Sequence, residues 1–185
     1  QTAESGIYLS SSTYDGANGC QNFVVSENHM NQCANNSALV VGGRNNIIAD
    51  NVCRSGFNSA VQCWHVCETQ VVGNKIEKCN LAEWNGLGVL ADSWSGGISV
   101  DGSDNIPDYS TYQVKIFGNQ ITECGIGRAA QNYAIRIKNE PFVFPATDKC
   151  YVGGNQSSDA DVHFQNDQNC TIIDMDSRTQ PGVFS

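Results

Sequence analysis

Asn28, Asn51 and Asn74 stand 23 residues apart, and five residues after each come Cys33, Gly56 and Cys79. The surroundings repeat too. Segments 25–30, 48–53 and 71–76 each read apolar, two variable residues, Asn, one variable residue, apolar. The pattern returns around Asn119, with Ile116, Ile121 and Cys124, and more weakly around Asn155. Self-similarity at a short fixed period marks a stacked-repeat architecture, in which each unit buries its apolar face only against its neighbours.

Each unit is too short for a strand–helix–strand crossover, and no long stretch carries helical periodicity with caps. Short apolar runs alternate instead with Asn, Gly, Asp and Ser, the residues of strands and tight turns. A second strand follows in every unit: 38–41, 60–63, 97–100, 134–137 and 161–164, with 6–9 as its counterpart in an incomplete first unit. A turn of about 22 to 23 residues built from short strands predicts an all-β chain, a right-handed parallel β-helix. Asparagine suits the bends, since it tolerates left-handed backbone angles. Its amide can also bond to the amide one coil away, as in stacked cross-β ladders. Cys33, Cys79 and Cys124, with Gly56 in the same column, predict a second inward ladder of small buried thiols.

By size the chain is one domain, read as β-helix over 1–169 with a cap or interchain tail over 170–185. It opens in mid-coil without a start Met, a signal-peptide pattern or a covering helix, so it reads as a processed chain or a piece of a longer protein. No stretch approaches the roughly 18 apolar residues of a membrane span. A net charge of −9 argues against nucleic acid and anionic membrane as partners, because phosphate binding needs clustered positive charge. Nine cysteines, several in ladder register, read as mostly reduced thiols of a protein folded in a reducing cytoplasm; Cys20, Cys150 and Cys170 lie off the main ladder and could pair. Sequons at Asn35, Asn155 and Asn169 are no more than so many asparagines produce by chance.

Regularity breaks after Cys79. From Asn74 to Asn119 is 45 residues, and from Asn119 to Asn155 is 36. The excess lies in the loops 80–96 and 102–112 and in 139–147. Insertions in solenoids gather on one face, often the binding face. The first loop carries Glu83, Trp84, Asp92 and Trp94; the second Asp104, Asp108, Tyr109 and Tyr112; the third Glu140, Phe142 and Phe144. Carboxylates for proton transfer beside flat rings that stack on pyranose faces are the makings of a sugar site. Alternation along the second strand lays out one outward column as Tyr8, Val40, Gln62, Ser99, Arg136, His163, and the next as Ser10, Gly42, Trp64, Asp101, Lys138, Gln165. Trp64, Asp101, Arg136, Lys138 and Glu140 form the candidate patch.

Two chemistries suit it. Hydrolysis needs two carboxylates, about 5 to 5.5 Å apart for retention or about 6.5 to 9.5 Å for inversion. Asp101 with Asp104, Asp92 or Glu140 are the candidate catalytic pairs. In a lyase or epimerase, Arg136 or Lys138 would take the proton beside a uronate carboxylate. Trp64, Trp84, Trp94 and Tyr109 serve as stacking platforms in either case. Asp101, Asp104 and Asp108 are an alternative calcium set, although their spacing fits no familiar loop, and no cofactor is otherwise expected. The run 63–67 places Cys63, His65 and Cys67 on one strand side, which packing explains more simply than a metal.

The asparagine-ladder coils over 20–156 resemble the pectate-lyase-like superfamily of right-handed β-helices, which includes pectate lyases, polygalacturonases, alginate lyases and epimerases, and phage tailspike depolymerases. Arg136-Ile137-Lys138 is similar to the strand with which polygalacturonases bind substrate; their Asn-Thr-Asp, Asp-Asp and Gly-His-Gly signatures are absent. With free core thiols and acidic charge, the resemblance implies a tailspike-like glycoside hydrolase acting on a polysaccharide, trimeric, extracellular or on a virion surface. A lyase or epimerase, a non-catalytic glycan-binding helix and a structural segment of a longer fibre are the alternatives.

Overall fold

The computed structural model describes residues 6–10, 20–33, 36–56, 58–79, 96–101, 111–124, 133–138, 147–148, 151–158, 162–166 and 171–172; at 101, 111–112, 133, 138, 147–148, 158, 162–166 and 171–172 only the backbone is described. In chain order the strands are β1 (Ile7–Ser10), β2 (Val24–Ser26) and β3 (His29–Asn31), then β4 (Ala38–Arg44), β5 (Ile47–Ala49) and β6 (Val52–Arg54), then β7 (Val61–Cys67), β8 (Gln70–Val72) and β9 (Lys75–Glu77). The longer fourth coil holds β10 (Ile98–Asp101), β11 (Thr111–Tyr112), β12 (Lys115–Phe117) and β13 (Gln120–Thr122). The fifth holds β14 (Tyr133–Lys138), β15 (Thr147–Asp148), β16 (Tyr151–Gly153) and β17 (Gln156–Ser158); β18 (Val162–Asn166) and β19 (Thr171–Ile172) follow.

Corresponding strands of successive coils pair in parallel to give three sheets. The long strands stack in the order β1-β4-β7-β10-β14-β18, the second sheet as β2-β5-β8-β12-β16-β19 and the third as β3-β6-β9-β13-β17. This is a right-handed parallel β-helix, the fold expected from the repeat. Strand β7 pairs β10 through its first half and Tyr112 of β11 at Cys67, so the insertion after Asp101 interrupts one long strand rather than ending it. Tyr112 and Thr147, placed in loops by the sequence reading, have already rejoined that sheet.

Corners fall five residues apart. Left-handed backbone angles occur at Asn22, Glu27 and Gln32, at Asn45, Asp50 and Ser55, and at Glu68, Gly73 and Lys78; Gln113, Gly118 and Glu123 continue the columns. The ladder asparagines are not these residues: each follows one, which corrects the expectation that Asn itself takes the left-handed angle. Its side chain is then free to serve the ladder. Asn51 shows the pattern. Its backbone N–H and its amide Nδ2 both donate to Oδ1 of Asn74, at 3.0 and 2.9 Å, while Nδ2 also donates to the Val25 carbonyl at 2.9 Å. Asn28, Asn74 and Asn119 repeat the first two bonds to the next asparagine up, as far as Asn155. Buried backbone groups at the corner are thereby satisfied without water.

The core is a narrow aliphatic column of Val40, Ile48, Val61, Val71, Ile76, Ile98, Val100, Ile116, Ile121 and Ile137, with thiols filling its edges. Cys33, Cys53, Cys63, Cys67, Cys79 and Cys124 are buried free thiols, and Cys20 is a half-buried one. Buried thiols in apolar surroundings are inert. A maleimide reagent is therefore expected to leave these six unmodified in the native protein and to label them once urea is added; native labelling of Cys79 at the rate of a free thiol would contradict the core. Outside, Arg44–Glu68, Arg54–Glu77 and Lys78–Glu123 bridge adjacent coils at 3.6, 3.2 and 3.2 Å. Such exposed pairs contribute little to stability.

Candidate functional site

The long-strand sheet carries the site residues, and its hydrogen-bond register decides which of them meet. Ser99 lies opposite Gln62 on one side and Arg136 on the other; Asp101 lies opposite Trp64 and Lys138. Three consecutive coils thus bring Trp64, Asp101 and Lys138 into one row, with neighbouring strands about 4.8 Å apart. The ends of the predicted columns differ. Leu39, not Val40, sits opposite Gln62, and Val41, not Gly42, opposite Trp64. Leu39, Val40 and Val41 are all apolar, so alternation could not tell inside from outside there. At the far end Gln165, not His163, lies opposite Arg136, because the coil between β14 and β18 is 29 residues long.

The outward column is also less wet than its chemistry implies. Gln62 is 1%, Ser99 0% and Arg136 6% exposed, against the solvated face expected for an outward arginine. Gln62 accepts a hydrogen bond at Oε1 from the amide of buried Asn36 at 2.9 Å. A buried polar row of this kind holds its members in fixed positions, since each loses water and must be served by neighbours. Arg136 is accordingly held in a fixed position within the sheet's outer layer.

Trp64 is half-buried, and its ring stacks on that of His65 with centroids 4.9 Å apart and planes 25° from parallel. Neighbours on a straight strand point to opposite faces and cannot stack. His65 has φ 55°, which breaks the alternation and brings the two rings together. One coil below, Gly42 has φ 70° at the same register, so the bend is shared by both strands. The two glycines at 42 and 43 were the sequence signal for it. Beyond the bend Val66, rather than His65, joins the core, and the Cys67 thiol points to the Gly43 carbonyl at 3.4 Å. Cys63, His65 and Cys67 therefore do not share one side, which corrects the sequence reading of that run. No group of three or more His, Cys, Asp or Glu able to hold an ion occurs among the described residues.

Asp92, Asp104, Glu140, Trp84, Trp94 and Tyr109 lie outside the described residues, as do Asp108 of the calcium set and Cys150 and Cys170. What the structure assembles is one half of the patch: an aromatic ring, a carboxylate-bearing position and a lysine position in register, backed by a buried polar row.

No family model matches the chain, and no curated protein sequence matches it. Among solved structures it is similar to the A-module of the mannuronan C-5 epimerase AlgE4 of Azotobacter vinelandii, with a TM-score of 0.60 and 16% sequence identity. The similarity covers 91% of this chain and 41% of that one, so the chain spans about two fifths of the neighbour's length. At this identity the likeness is one of fold.

Proposed function

We propose that this chain is a carbohydrate-active module that binds a polysaccharide across the outer face of the long-strand sheet and modifies it at the row Trp64–Asp101–Lys138. The observation that supports this reading is the shared register of those three positions on consecutive coils. Trp64 offers a ring for the flat face of a pyranose. Asp101 and Lys138 stand one strand apart as acid and amine. Hydrolysis needs two carboxylates, and this row holds one. A single carboxylate beside an amine suits proton abstraction next to a sugar carboxylate instead. Lys138, as the neutral amine, takes the proton and becomes the ammonium; Asp101, as the protonated acid, returns one to the ring or the leaving oxygen and becomes the carboxylate; and the fixed charge of Arg136 lowers the energy of the developing anion. An arginine stays protonated in a protein, so Arg136 stabilises charge rather than acting as the base. That the structural neighbour is an epimerase of a uronate polymer is consistent with this choice, as analogy of fold only.

The test is turnover of uronate-containing, capsular and plant polysaccharides, read as ultraviolet absorbance of unsaturated products, change of ring configuration by NMR, and new reducing ends. Asp101→Asn is expected to lower turnover by about 10² to 10⁴-fold without changing thermal stability. Unchanged turnover in that variant would remove Asp101 from the chemistry. Reducing ends with no unsaturated product would make the reaction a hydrolysis, carried by Asp101 with Asp104, Asp92 or Glu140.

A further inference from the structure

The second sheet carries an indentation that the long-strand site does not use. Gln113, Lys115, Phe117 and Tyr151 line a groove of about 440 Å³ on its outer face, within the range of small-molecule sites. Its origin lies in the pairing of β12 with β16. Lys115 stands opposite Tyr151, but Phe117 stands opposite Gly153, so the coil above offers no side chain next to the Phe117 ring. The hollow is bordered by two half-buried aromatic rings, with the exposed Lys115 between them in register. Gln113 enters from the left-handed corner before β12, with φ 54°. In the coils below, the positions equivalent to Lys115 and Phe117 are Gln70 and Val72, then Ile47 and Ala49, then Val24 and Ser26. Neither an aromatic ring nor a cation occurs among them.

We infer that this groove is a second carbohydrate subsite, one that takes a carboxylated sugar unit of the same polymer and anchors the chain away from the reacting row. The lining has the two parts such a unit needs. Flat rings cover the C–H face of a pyranose, while an ammonium and an amide meet its carboxylate and hydroxyls. Among the described residues the lining holds a cation and no acid, on a chain whose net charge is −9. Lys115 takes part in no ion pair among the described residues. No described acid therefore competes with a ligand anion for it. The inference rests on the polysaccharide reading above but not on which reaction the row performs.

The experiment titrates the isotope-labelled full chain with a short oligouronate and with its carboxyl-reduced counterpart, following backbone amide shifts by NMR. Shifts are expected to cluster on 113–117 and 151–153, apart from any at the row. Lys115→Gln is expected to weaken oligouronate binding at this cluster about fivefold while sparing the neutral sugar. Phe117→Ala is expected to weaken both about tenfold. Oligouronate shifts confined to the long-strand face, or a groove cluster unmoved by both substitutions, would overturn the subsite and leave the row's function standing. Conversely, groove shifts in a chain that turns over none of the polysaccharides would keep the subsite and remove the enzymatic reading. Absence of any shift with either sugar would overturn the subsite outright.

Discussion

Asn74→Ala is expected to destabilise the coil stack by about 4 kcal/mol, near the top of the range for one substitution. Oδ1 of Asn74 accepts from both the backbone N–H and the amide of Asn51, and its Nδ2 donates to the Ile48 and Val72 carbonyls and to Oδ1 of Asn119. Alanine leaves the buried Asn51 N–H without an acceptor and removes a partner from three further buried groups. Each stranded group costs about 1 to 3 kcal/mol, because water cannot reach the corner to replace what was lost. Asn28 supplies the control. It lies half-buried at the end of the ladder, where its Nδ2 donates to Asn51 and to the carbonyl of Ser26. Asn28→Ala is expected to cost about 1 kcal/mol. Urea unfolding followed by circular dichroism measures both. Equal losses at the two positions would mean that the ladder is not the source of the stability.

Stability is also expected to fall as pH rises from about 9 towards 12. The Cys53 thiol is pushed up to about 12, first by burial and then by the nearby Cys79, against a hydrogen bond with Ser37 that pulls it down. Cys79 is raised as well, chiefly by its hydrogen bond with the Cys124 thiol and by burial. The sign follows from proton linkage. In the unfolded chain these thiols ionise near pH 9, whereas in the folded chain they keep their protons, so the folded state binds more protons across this window. The stabilising contribution is fully present below pH 9 and is lost as pH climbs through the folded-state value. For Cys53 the shift of about three units corresponds to about 4 kcal/mol over the whole window. Tyrosines and lysines titrate in the same range, so the measurement is a comparison. Cys53→Ala is expected to be less stable at neutral pH, through its cavity, yet to lose less on alkaline titration. Parallel stability-versus-pH curves for the two proteins would refute the assignment.

The architecture was legible because a solenoid repeats its contacts at the period of its sequence. Asn28, Asn51 and Asn74 bond at the same 23-residue offset that first set them apart. Cys53 and Ile76, by contrast, showed only as apolar positions. The corners were half legible: the asparagine column stood out, but the left-handed residue is the one before it, and it changes from Glu27 and Asp50 to Gly73, Gly118 and Gly154 along the stack. A backbone angle is a property of position, and composition signals it only where glycine or asparagine happens to stand.

The site shows the same division more sharply. Sequence alone determined the period, the stacked parallel coil and the row of Trp64, Asp101 and Lys138, because each follows from alternation and constant spacing between adjacent strands. Only the tertiary structure decided that Leu39 and Gln165 complete the neighbouring column and that Gln62, Ser99 and Arg136 are buried in it. It alone placed Tyr151 beside Lys115, with Gly153 opposite Phe117. Those outcomes depend on how many residues each coil inserts before rejoining its sheet, and on which side chain or gap lies one coil above. Both are contacts between residues 23 to 36 positions apart, and hydrogen-bond register, not local pattern, brings them together.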